Sequence, residues 1–98
     1  MSSELLLEPG AEAEIAEAGD WYDQRRPGLG ADFVRAVDET LAAIKQNPLQ
    51  YQTVWRQFRR ARIGRFPYGL IYFVSDHGIV VLSCFHGRRN PQIWKKRA

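Results

Sequence analysis

The spacing of apolar residues in the first quarter of the chain predicts an amphipathic helix. Pro9 suits the first turn of a helix, because its missing N–H would have no partner there. Four apolar residues then recur at helical spacing, and most of the acidic residues between them fall off that stripe. The stripe consists of Ala11, Ile15, Ala18 and Tyr22. We expect this helix to end before Pro27.

A second helix is predicted after the Arg-Pro-Gly-Leu-Gly segment at residues 26–30, which is rich in helix breakers. It should end near Asn47, just before Pro48. Its apolar stripe consists of Phe33, Ala36, Val37, Thr40, Leu41 and Ile44. Val34 widens this stripe to about half of the helix circumference, which is more than one contact surface requires. We therefore expect an antiparallel helical hairpin with apolar surface left over.

From Trp55 onward the pattern changes to alternation of apolar and polar residues, which predicts strands. Pro67 ends the first of them because it has no N–H for the ladder. Residues 68–74, rich in β-formers, and residues 79–85 then flank a Ser-Asp-His-Gly turn. The second of these strands is almost entirely apolar, so we expect it at the centre of the sheet or covered on both faces.

With a short strand candidate at residues 4–8, the order is β-α-α-β-β-β. This order predicts a single α+β domain over residues 1–98, with a mostly antiparallel sheet and the helical hairpin packed on one face. The longest apolar runs are far below the roughly 20 residues that cross a bilayer. The amino terminus is acidic where a secretory signal needs basic residues. We therefore expect a cytoplasmic protein with no membrane partner.

Charge is divided unequally along the chain. Residues 1–54 hold ten acidic and four basic residues, and residues 55–98 hold one acidic and ten basic residues. The halves therefore carry −6 and +9, within a total of +3. A surface with this excess should attract a polyanion or an acidic protein. The alternative is a solvated basic face that pairs with the protein's own acidic helices.

The sequence contains none of the familiar nucleotide or metal signatures, so we expect no cofactor and no metal site. His77 lies in a predicted turn and His86 ends a predicted strand, which favours two separate bystanders over paired ligands. Cys84, the only cysteine, alternates with apolar neighbours on a strand. This pattern is typical of a buried structural thiol. A chain with a single cysteine cannot form an internal disulfide.

Basic and aromatic residues remain as the candidate chemistry. They are Arg60, Arg62, Arg65, His86, Arg88, Arg89, Trp94, Lys95, Lys96 and Arg97. Metal-free cleavage of a phosphodiester needs a base, an acid and cations that stabilise the phosphorane. Arginines could stabilise the charge and His86 could be the acid, but the strand region between Glu39 and Asp76 offers no carboxylate as the base. A binding surface explains these residues with fewer assumptions.

A series of motifs, in order along nearly the whole chain, resembles one toxin family. The motifs are Trp21-Tyr22, residues 27–30, Phe33, Pro48, Tyr51, Arg59-Arg60, residues 65–68 (Arg-Phe-Pro-Tyr), Ile71-Tyr72, His86, Arg89, Pro91 and Trp94. They resemble the ParE branch of the ParE/RelE superfamily, the toxin halves of bacterial type II toxin-antitoxin systems. The resemblance implies the RelE/ParE toxin fold, growth inhibition by the free protein and neutralisation by a cognate antitoxin, ParD-like or related.

The resemblance also implies a target. ParE-type toxins act on DNA gyrase and stabilise its cleaved-DNA state, whereas RelE-type relatives cut messenger RNA in the ribosomal A site. The resemblance to the ParE branch favours gyrase, binding without catalysis, and a role in plasmid stabilisation. Gly87 stands where some of the nucleases have a terminal tyrosine, and this departure argues against cleavage without indicating gyrase. The predicted target-binding residues are Arg65, His86, Arg88, Arg89 and Trp94. For Trp94, docking back onto the sheet and presentation to a partner are both open.

The antitoxin should lay an amphipathic helix across Val34 and Leu41, with acidic residues meeting Arg60 and Arg62. It could also add a strand at a sheet edge. Two alternatives remain open for the function. One is a ribosome-dependent messenger RNA endonuclease, with Arg65 stabilising the phosphorane and His86 as the acid. The other is a non-toxic homologue that is retained as a binding partner.

Overall fold

The computed structural model of the protein describes residues 4–98; the first three residues, which the single-domain prediction includes, lie outside the described residues. The predicted order of elements is confirmed, with one short strand and one short helix added. The elements are β1 (Leu5–Leu7), α1 (Pro9–Arg25), α2 (Leu29–Gln46), β2 (Thr53–Trp55), β3 (Phe58–Arg62), β4 (Tyr68–Ser75), β5 (Gly78–His86) and α3 (Gln92–Lys95). No helix of this described part is long and apolar enough to cross a bilayer.

Glycines make the predicted helical hairpin possible. Gly28 adopts φ 91° just before α2, a left-handed conformation that residues with a Cβ rarely take. At Gly30 there is no room for a side chain, because the backbone of Gly19 on α1 lies directly against it. The N–H of Gly30 donates to Asp23 Oδ1 at 2.7 Å. The two helices therefore cross in close contact near the hairpin turn.

The sheet has the strand order β1-β5-β4-β3-β2. β1 pairs parallel with β5, and the other three pairings are antiparallel, so the predicted mostly antiparallel sheet is confirmed. β5 lies inside the sheet and is buried along most of its length, as its apolar sequence predicts. The unpredicted strand β2 forms a hairpin with β3 across Arg56, which adopts φ 51°.

Two hydrophobic cores lie on the two faces of the sheet. The first is between the sheet and the helical hairpin, where Phe66 packs 5.0 Å from Tyr22 and 5.1 Å from Phe33, measured between ring centroids. The second, on the opposite face, consists of Phe58, Ile71, Leu82, Phe85 and Trp94, with Trp55 and Phe73 against it. Trp94, carried by α3, is only 3% exposed. The basic tail therefore docks back onto the sheet.

Side chains complete the edge of β5 beyond the end of β1. Register pairing with β1 ends at Val81, and Glu14 of α1 then accepts the N–H of Cys84 at 3.1 Å and the hydroxyl of Ser83 at 2.9 Å. Arg97 donates to the carbonyl oxygen of Leu82 at 2.5 Å and forms an ion pair with Glu14 at 3.0 Å. These contacts tie α1, β5 and the carboxy terminus together.

Tyr72→Phe should lower the free energy of unfolding by about 1–2 kcal/mol, because the buried Tyr72 hydroxyl donates to the carbonyl oxygen of Pro48 at 2.5 Å. Urea denaturation measures the change. Tyr51→Phe is the matched control, since its half-buried ring lies 6.3 Å from that of Tyr72; we expect less than about 0.5 kcal/mol there. Equal losses in both variants would contradict the role of this hydrogen bond.

The same residue should make stability fall in strong base. Burial raises the pKa of Tyr72 from 10.0 to about 12 in the folded protein. Its contribution is therefore complete below pH 10 and is lost as the pH rises through about 12. Tyr72→Phe should flatten this part of the stability profile, which urea titrations at increasing pH would measure.

Candidate binding site

The carboxy-terminal end of β5 presents three of the predicted target-binding residues. His86 is the last residue of the strand, and exposed Arg88 and Arg89 follow it in a turn. The N–H of Arg89 donates to the carbonyl oxygen of His86 at 3.1 Å, and the N–H of Arg88 donates to its Nδ1 at 3.0 Å. A neutral imidazole in this arrangement carries its proton on Nε2. The turn thus fixes both the ring and the start of the two arginine side chains.

A groove of about 380 Å³ lies between α1 and this end of the sheet. We call it the α1 groove; its lining is Glu14, Glu17, Ala18, Trp21, Tyr22, Pro67, Tyr68, Cys84, His86 and Arg89. The imidazole of His86 stands edge-on to the ring of Tyr68, with centroids 5.0 Å apart. The α1 groove also brings Glu17 of α1 together with His86 and Arg89. Sequence reasoning missed this carboxylate because it searched for a base only near the strands.

Burial keeps one thiol and two phenols of the α1 groove protonated. It raises the pKa of the Cys84 thiol to about 12, and the nearby charge of Glu14 acts in the same direction. It also raises the pKa of Tyr22 and of Tyr68 above the usual 10.0. At neutral pH the thiol and both phenols are therefore hydrogen-bond donors, and none of them supplies a base or a nucleophile.

A second groove, of about 220 Å³, lies on the opposite face of the sheet. We call it the aromatic groove; its lining is Val54, Arg60, Ile71, Phe85, Gly87, Arg89, Pro91, Trp94 and Lys95. Arg89 lines both grooves. Trp94 forms part of the aromatic groove while being buried in the second core, so the structure places it beneath the surface that the other predicted target-binding residues form.

Two glycines hold the side chain of Arg60 across the aromatic groove. A Cβ on Gly69 would lie 2.6 Å from Arg60 Nε, and one on Gly87 would lie 3.3 Å from its Nη2. A bulky side chain at position 87 would therefore compete with the Arg60 guanidinium for space. The nearby Arg60 guanidinium therefore gives a physical reason for a glycine at position 87.

The structure separates Arg65 from His86. Exposed Arg65 lies beside α2, in a third groove with Asp32, Ala36 and Glu39, and its guanidinium is 5.8 Å from the ring centroid of Phe66. It lines neither of the other two grooves. The pair proposed for the nuclease alternative is thus divided between two grooves.

The predicted antitoxin-binding residues are also divided between the two faces. Val34 on α2 is 41% exposed, whereas Leu41 is half-buried against the first core. Arg60 and Arg62 share the other face of β3 with Phe58, because alternate side chains of a strand point to opposite faces. Arg62 is exposed and Arg60 half-buried.

The basic residues form separate groups and not one continuous binding surface of the kind that their clustering in sequence favours. Arg59 turns to the helix face, where it donates to the carbonyl oxygen of Tyr51 at 2.5 Å. Arg97 is engaged by Glu14. Arg60, Arg89 and Lys95 meet at the aromatic groove. The strand alternation and the internal hydrogen bonds explain this division.

Known toxins share this architecture. The solved structure of the chromosomal ParDE toxin-antitoxin system from P. aeruginosa aligns with a TM-score of 0.77 at 18% identity, covering 87% of this chain and 96% of that one. The YoeB dimer from Staphylococcus aureus aligns with a TM-score of 0.61 at 20% identity, covering 88% and 99%. The fold is therefore that of the ParE/RelE toxins, as the motifs predict.

Sequence comparison gives the family. Toxin ParE2 of Mycobacterium tuberculosis (strain H37Rv) is 26% identical over 92 residues, which cover 93% of this chain and 88% of that protein. The family model for the ParE toxin of type II toxin-antitoxin systems (parDE) matches residues 5–91. This chain belongs to the ParE toxin family.

The buried thiol gives a direct test of the chemistry of the α1 groove. At pH 8, Cys84 in the folded protein should react with a disulfide reagent at least about 100-fold more slowly than in the chain unfolded by denaturant, because burial raises its pKa to about 12. Absorbance of the released thiolate measures both rates. Comparable rates would show that Cys84 is an accessible thiolate.

Proposed function

We propose that this toxin acts in the cytoplasm by binding DNA gyrase, and that the end of β5 is the surface which contacts it. Arg89 carries the proposal, because it lines both grooves and is exposed between them. His86 and Arg88 extend the same surface. The separation of Arg65 from His86 supports binding over cleavage, since the cation and the acid of the nuclease hypothesis do not share a groove.

A ribosome-dependent endonuclease is the second candidate, because the α1 groove supplies a different set of groups for that chemistry. Glu17 could act as the base, His86 as the acid in its imidazolium form, which gives up the hydrogen bond from the Arg88 N–H, and Arg89 as the stabilising cation. Such a site would cut messenger RNA without Arg65. The two candidates differ in their products, so one pair of assays distinguishes them.

Arg89→Gln should raise the toxin concentration that half-inhibits DNA supercoiling by purified gyrase about tenfold, because it removes the cation shared by both grooves. Arg35→Gln is the matched control: Arg35 is exposed on α2 and pairs with Asp32 at the surface, so its loss should leave inhibition unchanged. The wild-type chain expressed alone should also arrest growth.

Other results would replace this proposal. New codon-positioned breaks in messenger RNA, without inhibition of supercoiling, would favour the endonuclease. Normal growth when the chain is expressed alone would favour a non-toxic homologue retained for binding. Equal effects of Arg89→Gln and Arg35→Gln would show that net charge, and not the end of β5, determines inhibition.

We further propose that the cognate antitoxin lays an amphipathic helix across the hairpin at Val34 and Leu41. Val34 is the accessible apolar side chain of the two, and Leu41 continues the surface at its half-buried edge. Arg60 and Arg62 would meet acidic residues of another antitoxin segment, because they lie on the opposite face of the sheet.

Val34→Glu should abolish neutralisation by the antitoxin encoded beside this chain while leaving growth arrest intact, because it places a charge in the apolar contact. Co-expression and growth measurement test it. Val74→Glu is the control: Val74 is 39% exposed, close to the 41% of Val34, but lies on β4. If the antitoxin still neutralises Val34→Glu, it binds elsewhere.

A further inference from the structure

We propose that the α1 groove binds a free aromatic α-amino acid, whose carboxylate pairs with Arg89 and whose ammonium pairs with Glu17. Both side chains line this groove, one from each side of it. Arg89 also belongs to the surface proposed to contact gyrase, so the bound amino acid would compete with that target. The competition rests on the proposed function, whereas the binding of the amino acid does not.

Two opposite charges face the α1 groove without neutralising each other. Glu17 and Arg89 are both exposed, and no ion pair joins them in the part of the chain that the structure describes. Both act on the hydroxyl of Tyr68: burial raises its pKa most, and among the weaker effects Arg89 lowers it and Glu17 raises it. A ligand with one anionic and one cationic group would compensate both charges, whereas a simple anion would be repelled by Glu17.

Neutral hydrogen-bond donors accompany Arg89 in the α1 groove. His86 Nδ1 accepts the N–H of Arg88 at 3.0 Å, so the neutral imidazole has its proton on Nε2. The hydroxyls of Tyr22 and Tyr68 are protonated at neutral pH, because burial raises the pKa of both. No side-chain oxygen of the described residues is buried without a partner, so these hydroxyls are bonded or accessible. A carboxylate accepts several hydrogen bonds and suits such a set of donors.

Aromatic walls select an aromatic side chain on the ligand. Trp21 and Tyr22 pack edge to face with ring centroids 5.1 Å apart, and the guanidinium of Arg25 lies 4.3 Å from the Trp21 centroid. The rings of Tyr22 and Tyr68 are 6.2 Å apart. These contacts fix the walls before a ligand binds, so little rotamer freedom remains to be lost. Ala18, the small residue of the lining, leaves room beside them.

Volume and charge together restrict the ligand to a small zwitterion. The groove encloses about 380 Å³, near the lower end of the range of about 300–1,000 Å³ for small-molecule sites. Its lining holds the carboxylates of Glu14 and Glu17 against the one guanidinium of Arg89. A phosphate dianion would meet more negative than positive charge there, which argues against a nucleotide. A free amino acid brings no net charge and carries both of the groups that the groove can pair.

The test titrates the full-length protein with L-phenylalanine and follows the backbone amide signals by NMR. We expect saturable shifts at Tyr68, His86 and Arg89 with a dissociation constant of about 1 mM, the usual affinity for a ligand of this size. Hydrocinnamate lacks the ammonium group and phenethylamine lacks the carboxylate, so each should bind at least about fivefold more weakly. L-Alanine, which has no ring, should bind at least about tenfold more weakly.

Variants assign each charge of the ligand to its partner. Glu17→Gln should weaken binding of L-phenylalanine about fivefold without weakening that of hydrocinnamate. Arg89→Gln should weaken binding of L-phenylalanine about fivefold without weakening that of phenethylamine. Glu12→Gln is the matched control, since Glu12 is exposed on α1 outside the groove and its loss should change binding by less than about twofold.

Several results would overturn the proposal. They are the absence of saturable shifts up to about 20 mM L-phenylalanine, equal affinities for L-phenylalanine and hydrocinnamate, equal losses for Glu17→Gln and Glu12→Gln, and tighter binding of adenosine monophosphate than of L-phenylalanine.

The supercoiling assay tests the competition separately. L-Phenylalanine at about ten times its dissociation constant should raise the half-inhibiting toxin concentration about tenfold, whereas the same concentration of L-alanine should have less than about a twofold effect. Binding without this relief would overturn the competition. If the toxin never inhibits gyrase, the proposed function fails, while the NMR titration still decides whether the groove takes an amino acid.

Discussion

The open edge of β5 is the constraint on which both grooves depend. β1 ends at Leu7, so β5 continues towards His86 without a neighbouring strand on that side. Buried backbone groups left without partners would each cost about 1–3 kcal/mol. Glu14 and Arg97 satisfy this edge at Cys84 and Leu82, and in doing so they bring α1 and the carboxy terminus to the same strand.

The contacts of Glu14 and Arg97 with β5 each help to form one of the two grooves. Glu14 holds α1 over β5, which forms one wall of the α1 groove. Arg97 holds the end of the chain just beyond α3. The helix α3 in turn carries Trp94 into the second core and Lys95 to the rim of the aromatic groove. The ion pair is partly buried, with the side chain of Arg97 33% and that of Glu14 23% exposed. A contact made for stability therefore also determines the shape of the candidate binding surface.

Sequence patterning predicted the parts of this fold that are long enough to show a period. Both long helices and the strands β4 and β5 fall in that class. β2 and α3 have only three and four residues, too few to display a repeat, and both are stabilised by packing on the second core. Docking of Trp94 depends on residues of the second core from distant strands, so the sequence of the carboxy-terminal tail alone does not predict it. The grouping of Glu17 with His86 likewise depends on how α1 crosses the sheet.

The position of Arg89 would connect the proposed binding of the target with the proposed neutralisation. A cation confined to one groove could be covered by an antitoxin without affecting a partner bound at the other. Arg89 lines both grooves. A ligand that pairs with the Arg89 guanidinium in one groove therefore leaves it unable to pair with a ligand in the other groove. Two ligands that need the same charged group bind competitively, and each then reduces the apparent affinity of the other by the same linkage. The turn after β5, which fixes the backbone of Arg89 through the carbonyl of His86, is therefore where the two proposed activities meet.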